Sequence, residues 1–96
     1  MAAYWIAHVT VKDVQQYKNY MALAPQAFQK YNARFLARGE KAETLEGEKF
    51  IKHVLIEFKD YQSALDCYHS EEYSKARAER ANIADAMITI VDGIAG

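Results

Sequence analysis

Three side chains in this sequence are of the types needed to bind a small acid and move a proton on it: His8, Arg38 and Glu57. An imidazole ordinarily titrates near neutral pH, a carboxylate can share or orient its proton, and a guanidinium can hold a carboxylate or phenolate in place. The combination matters only if the three share a surface. His8 lies in YWIAHVTV (4–11), Arg38 ends RFLAR (34–38) and Glu57 lies in KHVLIEFK (52–59); aromatic and β-branched content makes each run a strand. Alternation along a strand puts Trp5, Ala7, Val9, Val11, Phe35, Ala37, Val54, Ile56 and Phe58 on one face. The other face then carries Tyr4, Ile6, His8, Thr10, Arg34, Leu36, Arg38, His53, Leu55 and Glu57. Two readings of the trio stand side by side. In one, His8 and Glu57 are catalytic and Arg38 binds substrate; in the other, Glu57 and Arg38 form a satisfied ion pair at an interface.

The elements that would position these groups follow along the chain. Lys12-Asp13 closes the first strand, with Asp13 as helix N-cap, and Val14, Tyr17, Met21, Ala24, Phe28 and Tyr31 recur at helical spacing. Pro25 interrupts that stripe, so a kink or restart is expected near Leu23 to Pro25. Residues 39–49, with Gly39 and Gly47, form a polar hairpin arm. Asp60 or Ser63 caps a helix carrying Ala64, Leu65 and Tyr68; it breaks near His69-Ser70 and resumes from Glu71 to about Ile83. Residues 86–91 (AMITIV) are a last strand whose buried face the sequence does not decide. The order βαββαβ predicts an α+β, ferredoxin-like domain over residues 1–96: a four-stranded antiparallel sheet with two helices on one face.

A second group sits at the break in the later helix. Tyr68 and Tyr73 can project into a pocket there and are candidate substrate-binding residues, while Ser70 reads as a cap for the segment that starts at Glu71. Arg80 falls on the same helical side as Tyr73 and Ala76; it either reaches a carboxylate ligand or pairs with Glu72 or Asp85. His53, near the start of its strand, is expected at the rim.

Composition adds a constraint. A chain of 96 residues with 51% hydrophobic content carries more apolar surface than one small core uses, and Tyr4, Ile6, Leu36 and Leu55 place the surplus on the helix-free face. A second copy packed sheet to sheet about a two-fold axis is the expected cover. Twelve Lys and Arg against 13 Asp and Glu supply no cationic footprint for nucleic acid or an anionic membrane. No apolar run is long enough for a bilayer span. A single Cys67 and a start without a leader pattern point to the cytoplasm. Neither zinc-ligand spacing, a phosphate-cradling loop nor a serine nucleophile elbow occurs, and no motif supports His8 or His69 as a haem ligand, so no metal or cofactor is expected. The seven tyrosines are dispersed rather than spaced as a base-stacking platform.

Taken together, Tyr4-Trp5-Ile6-Ala7, Asp13 with Tyr17 and Tyr20, the run from Arg34 to Gly39, Leu45-Glu46-Gly47, Ile56-Glu57-Phe58, the run from Tyr68 to Tyr73 and Arg80 resemble the small-protein family known as domain of unknown function 1330. The resemblance runs from Tyr4 to Gly93. It implies a dimeric α/β-barrel fold, related in architecture to cofactor-free monooxygenases, muconolactone isomerases and chlorite-dismutase-like haem proteins, and no settled activity. Tyr31-Asn32-Ala33 departs from the glycines the family tends to have there, so that turn is expected to differ. Three functions remain open on the sequence. One is a small-molecule site lined by His8, Arg38, Glu57 and Tyr68, between sheet and helices or within the dimer barrel, taking an organic acid or aromatic with proton-transfer or isomerase-like chemistry. The second is a non-enzymatic homodimeric module in which the trio fixes register. The third is a cofactor-free monooxygenase.

Overall fold

The strands form where aromatic and β-branched residues alternate, and each helix starts on a side chain that accepts a backbone hydrogen bond. A computed structural model describes residues 1–95 of the chain. Its elements are β1 (Ala3–Val11), α1 (Val14–Lys30), β2 (Arg34–Ala37), β3 (Lys52–Phe58), α2 (Tyr61–His69), α3 (Glu71–Arg80) and β4 (Ala84–Asp92). The strands lie in the order β2-β3-β1-β4 and all pair antiparallel, which is the ferredoxin-like sheet. Helices cover one face only. The molecule is therefore a two-layer slab, 40 × 35 × 17 Å.

Asp13 caps α1 by accepting the Gln16 N–H at 3.1 Å, and Asp60, not Ser63, caps α2 by accepting the Ser63 N–H at 2.7 Å. Ser70 accepts the Tyr73 N–H at 3.1 Å and donates to the Cys67 carbonyl at 2.7 Å, so one hydroxyl ends α2 and starts α3. The later helix is thus two helices, making three in all. Pro25 does not restart α1, which is continuous from Val14 to Lys30. At its end Asn32 takes a left-handed φ of 54° and the Ala33 N–H returns to the Phe28 carbonyl at 2.9 Å. Asparagine fills the left-handed position for which glycine is the common choice. At the opposite edge of the sheet the Gly93 N–H donates to the Ala2 carbonyl at 2.8 Å, and a Cβ there would meet that oxygen at 2.5 Å.

Trp5 is the hub of the core. Its ring lies 5.1 Å from that of Tyr73, 5.3 Å from Phe28, 5.7 Å from Tyr68 and 5.9 Å from Phe58. Ile88 and Ile90 pair with Ala7 and Trp5 and pack against this core, which fixes the buried face of β4. Tyr17, Ala24, Ala27 and Phe28 are the buried residues of α1; Val14 and Met21, expected in the same stripe, are 66% and 49% exposed. The buried stripe takes in Ala27 rather than Met21, on a helix that packs chiefly against α3. No helix among the described residues is long and apolar enough to cross a membrane.

Candidate functional site

Register and a bulge separate the three residues that parity had put on one face. Cross-strand pairing places His8 beside His53 on β3 and Met87 on β4, whereas Glu57 lies beside Tyr4, four residues along β1 from His8. At about 3.3 Å per residue that is some 13 Å. His8 and Glu57 therefore share a face but no site. On β2, Phe35 pairs with Ile56 and Ala37 with Leu55, so two residues advance against one and Leu36 is the extra. Parity inverts past this bulge. Ala37 falls opposite the outward Leu55, and Arg38 turns to the helix face, its guanidinium 4.7 Å from the Phe35 ring centroid. Glu57 makes its one ionic contact with Arg34, at 3.9 Å, and the expected Glu57–Arg38 pair is absent.

The outer face instead carries a histidine pair. His8 Nδ1 and His53 Nδ1 are 2.8 Å apart, so one ring donates and the other accepts, and Phe50 folds in from the hairpin arm with its ring centroid 6.0 Å from that of His8. His53, expected at the rim, is half-buried. No group of three or more His, Cys, Asp or Glu side chains among the described residues is placed to hold a metal ion.

The polar groups that do converge are on the helix side. A cavity of about 90 Å3 lies between the sheet, α1 and α3, with Trp5, Phe28, Phe35, Tyr17, Tyr20 and Ile88 in its walls and Arg38, Tyr73 and Arg80 among its polar groups. The Tyr20 and Tyr73 hydroxyls are 2.8 Å apart, and Arg80 Nη2 donates to the Tyr73 hydroxyl at 3.4 Å. The Arg80 guanidinium stands 5.4 Å from the Tyr20 ring centroid. Helix periodicity explains the convergence, since Tyr73, Ala76 and Arg80 recur at three- and four-residue spacing on the buried side of α3. Tyr17 and Tyr20, three apart on α1, meet them from across the cavity with their rings stacked at 5.1 Å.

Arg80 is only 8% exposed, and no carboxylate among the described residues partners it. Of the two partners the sequence offered, Glu72 is taken by Lys30 at 3.1 Å and Asp85 by Lys12 at 3.4 Å. Burial works against the Arg80 charge, and the Tyr73 and Tyr20 oxygens more than offset it, so its pKa is raised. Burial also pushes the Tyr20 hydroxyl well above its ordinary value, with the Tyr73 oxygen adding to the shift, and burial raises Tyr17 in the same sense. Both phenols are neutral donors rather than bases. Cys67, buried beneath Ala27, is pushed up to about 12 by desolvation and is no nucleophile at neutral pH.

Arg80 also borders a second space, an open groove of about 620 Å3 between α2, α3 and β4. Tyr61, Leu65, Tyr68, His69, Arg77, Ala86, Ile88, Thr89 and Ile90 complete its lining. There Arg77 Nη1 donates to the Tyr68 hydroxyl at 2.6 Å, its guanidinium 4.7 Å from the Tyr68 ring centroid. Of the six sequence candidates, Arg38, Tyr73 and Arg80 thus gather in the cavity and Tyr68 in the adjoining groove, while His8 and Glu57 stay on the opposite face. Tyr17, Tyr20 and Arg77 were not singled out as site residues. Their three-residue spacings, Tyr17 to Tyr20 and Arg77 to Arg80, were the available pointer.

Fold and site define a small ferredoxin-like domain with a cation-bearing pocket under its helices. The chain belongs to the family described as domain of unknown function (DUF1330), whose model matches residues 2–94. No curated protein matches the sequence. Among solved structures it is similar to a protein of unknown function from Rhodopseudomonas palustris, at 12% identity over 99% of this chain and 84% of that one, with a TM-score of 0.79. A dimeric ferredoxin-like protein of unknown function from a Jannaschia species gives 9% identity, 97% and 100% coverage and a TM-score of 0.72. SnoaB, a cofactor-independent oxygenase from Streptomyces nogalater, gives 10%, 99% and 95% coverage and 0.66. At such identities the likeness shows the shared fold.

Proposed function

We propose that this chain binds a small organic acid whose anionic group rests on Arg80, and that it does so as a homodimer joined through the helix-free sheet face. The observation that carries the first part is a buried guanidinium without a counter-ion among the described residues. Removing such a charge from water is costly unless an anion or acceptors compensate; the protein supplies only the Tyr73 and Tyr20 oxygens, which favour the cation but bring no negative charge while the phenols are neutral. Every fully buried side-chain polar atom has a partner among the described residues, so the Arg80 nitrogens that lack one border accessible space. The cavity of about 90 Å3 holds roughly three water-sized groups at about 30 Å3 each. That is room for a carboxylate head. The body of the acid lies along the groove, on Leu65, Ile88 and Ile90.

Binding rather than catalysis is what the geometry favours. The cavity walls offer donors, Tyr20, Tyr73, Arg38 and Arg80, and no histidine or carboxylate to take a proton. A role for His8 or Glu57 in proton transfer would need them to act from the opposite face, on a ligand held inside the dimer.

The dimer rests on surface. A monomer of 11.0 kDa is expected to expose about 5600 Å2, and this chain exposes 6583 Å2. Tyr4, Ile6, Leu55, Met87 and Val91 lie on the uncovered side of the sheet, and a Jannaschia fold neighbour is itself dimeric.

Trp5, the only tryptophan, lines the cavity and reports on it. Titrating the protein with benzoate is expected to change Trp5 emission saturably, with uncharged benzamide at least tenfold weaker. Arg80→Met removes the difference, and Tyr20→Phe, which keeps the cation, retains it. Equal affinity for benzoate and benzamide in the unmodified protein would overturn the reading.

A further inference from the structure

The groove carries a second guanidinium, and its arrangement narrows the ligand class. Arg77 and Arg80 are three residues apart on α3 and line the same groove, so their Cβ atoms are about 5–6 Å apart. Neither has a carboxylate partner among the described residues, although Lys12, Lys30, Arg34 and Lys75 all do. No Asp or Glu lines the groove. Its titratable groups are Arg77, Arg80, His69, Tyr68 and Tyr61, so the field there is positive.

The two guanidiniums do not converge on a single point. Arg77 is held on the Tyr68 ring and hydroxyl, whereas Arg80 is held between Tyr20 and Tyr73, whose ring centroids lie 6.1 Å apart. The Tyr68 ring that supports Arg77 and the Tyr73 ring whose hydroxyl accepts from Arg80 are 5.5 Å apart. Two anchored cations on separate aromatic supports suit two separated anionic groups rather than one compact phosphate. In the same groove Leu65, Ile88 and Ile90 offer an apolar bed. We infer that the ligand is a dicarboxylic acid with a flat or apolar spacer, one carboxylate on Arg80 and the other on Arg77 beside the Tyr68 hydroxyl. This rests on the Arg80 reading above and adds the second anchor.

The test is calorimetric titration of the intact protein with three probes: benzoate, isophthalate and phenyl phosphate. Isophthalate is expected to bind at least tenfold more tightly than benzoate. Arg77→Met, at a half-buried position outside the Trp5 cavity, is expected to bring isophthalate down to the benzoate affinity while leaving benzoate within twofold. Tyr68→Phe, which removes the hydroxyl and keeps the ring, is expected to weaken isophthalate several-fold more than it weakens benzoate. If isophthalate and benzoate bind equally, the second anchor is refuted and the Arg80 site stands. If phenyl phosphate binds most tightly, the two arginines grip one anion and the dicarboxylate assignment is overturned. If none of the three binds, the Arg80 site itself is refuted.

Discussion

Replacing Tyr73 by phenylalanine removes one oxygen from a chain of three polar groups and leaves everything else in place. That oxygen is 2.8 Å from the Tyr20 hydroxyl and 3.4 Å from Arg80 Nη2. The ring, fully buried 5.1 Å from Trp5, still fills its space. The loss is therefore polar. A neutral hydrogen bond contributes about 1 kcal/mol net, and stranding the partner in a dry site costs about 1–3 kcal/mol. The long contact to Arg80 adds little, so Tyr73→Phe should destabilise the fold by about 2 kcal/mol, lowering Tm by about 8–16 °C in a domain of this size. Tyr20→Phe breaks the same bond from the other end but leaves the Tyr73 hydroxyl its contact with Arg80, for a smaller cost of about 1 kcal/mol. The double substitution strands neither oxygen. It should cost less than the two single changes added together, with a coupling of about 1 kcal/mol. Urea unfolding followed by Trp5 emission measures this cycle, at one fixed protein concentration because a dimer's stability depends on it. A coupling below about 0.3 kcal/mol would refute the hydroxyl pair and, with it, the preorganised donors beside Arg80.

Three further outcomes follow from other parts of the molecule. Leu55→Lys, on the uncovered sheet face, should convert a dimer to a monomer in sedimentation while changing benzoate affinity less than twofold; an unaltered dimer would move the interface elsewhere. Ser70→Ala removes both the α3 cap and the bond to the Cys67 carbonyl, and should cost about 1–2 kcal/mol in urea unfolding. In alkali, burial keeps protons on Cys67, with its pKa at about 12, and on Tyr17 and Tyr20, all raised in the folded state. Above about pH 9 the unfolded chain loses these protons first, so it binds fewer than the native state and stability falls as pH rises. The urea midpoint should hold near pH 8 and drop by about pH 11; a constant midpoint would contradict the burial of these groups.

The fold was legible because the signals that define it are local. Alternation in residues 4–11 and 52–59 and the cap at Asp13 each depend on neighbours in sequence, and the DUF1330 family model covers the same stretch from end to end. The site was legible only where it is helical. Spacing puts Arg80, seven residues from Tyr73, on the same side of α3, but leaves open whether it meets a ligand or pairs with Glu72 or Asp85. His8, Arg38 and Glu57 could not be placed from alternation, because parity gives a face and not a register. The His8–His53 pairing carries Glu57 some four residues away, and one extra residue at Leu36 sends Arg38 through the sheet to the helix side. Bulges and register come from long-range pairing, which no local pattern encodes. Arg77 escaped notice for a different reason: an arginine in a polar helix reads as solvated until a groove is seen beside it.

Whether an organic anion rests on Arg80 is decided by a crystal grown with 4-bromobenzoate, since anomalous scattering locates the bromine without ambiguity. The carboxylate is expected within hydrogen-bond distance of the Arg80 guanidinium and the bromine in the groove beside Leu65, Ile88 and Ile90. Bromine found only on the outer sheet face, near His8 or near Arg34, or at no ordered position under saturating ligand, would contradict it.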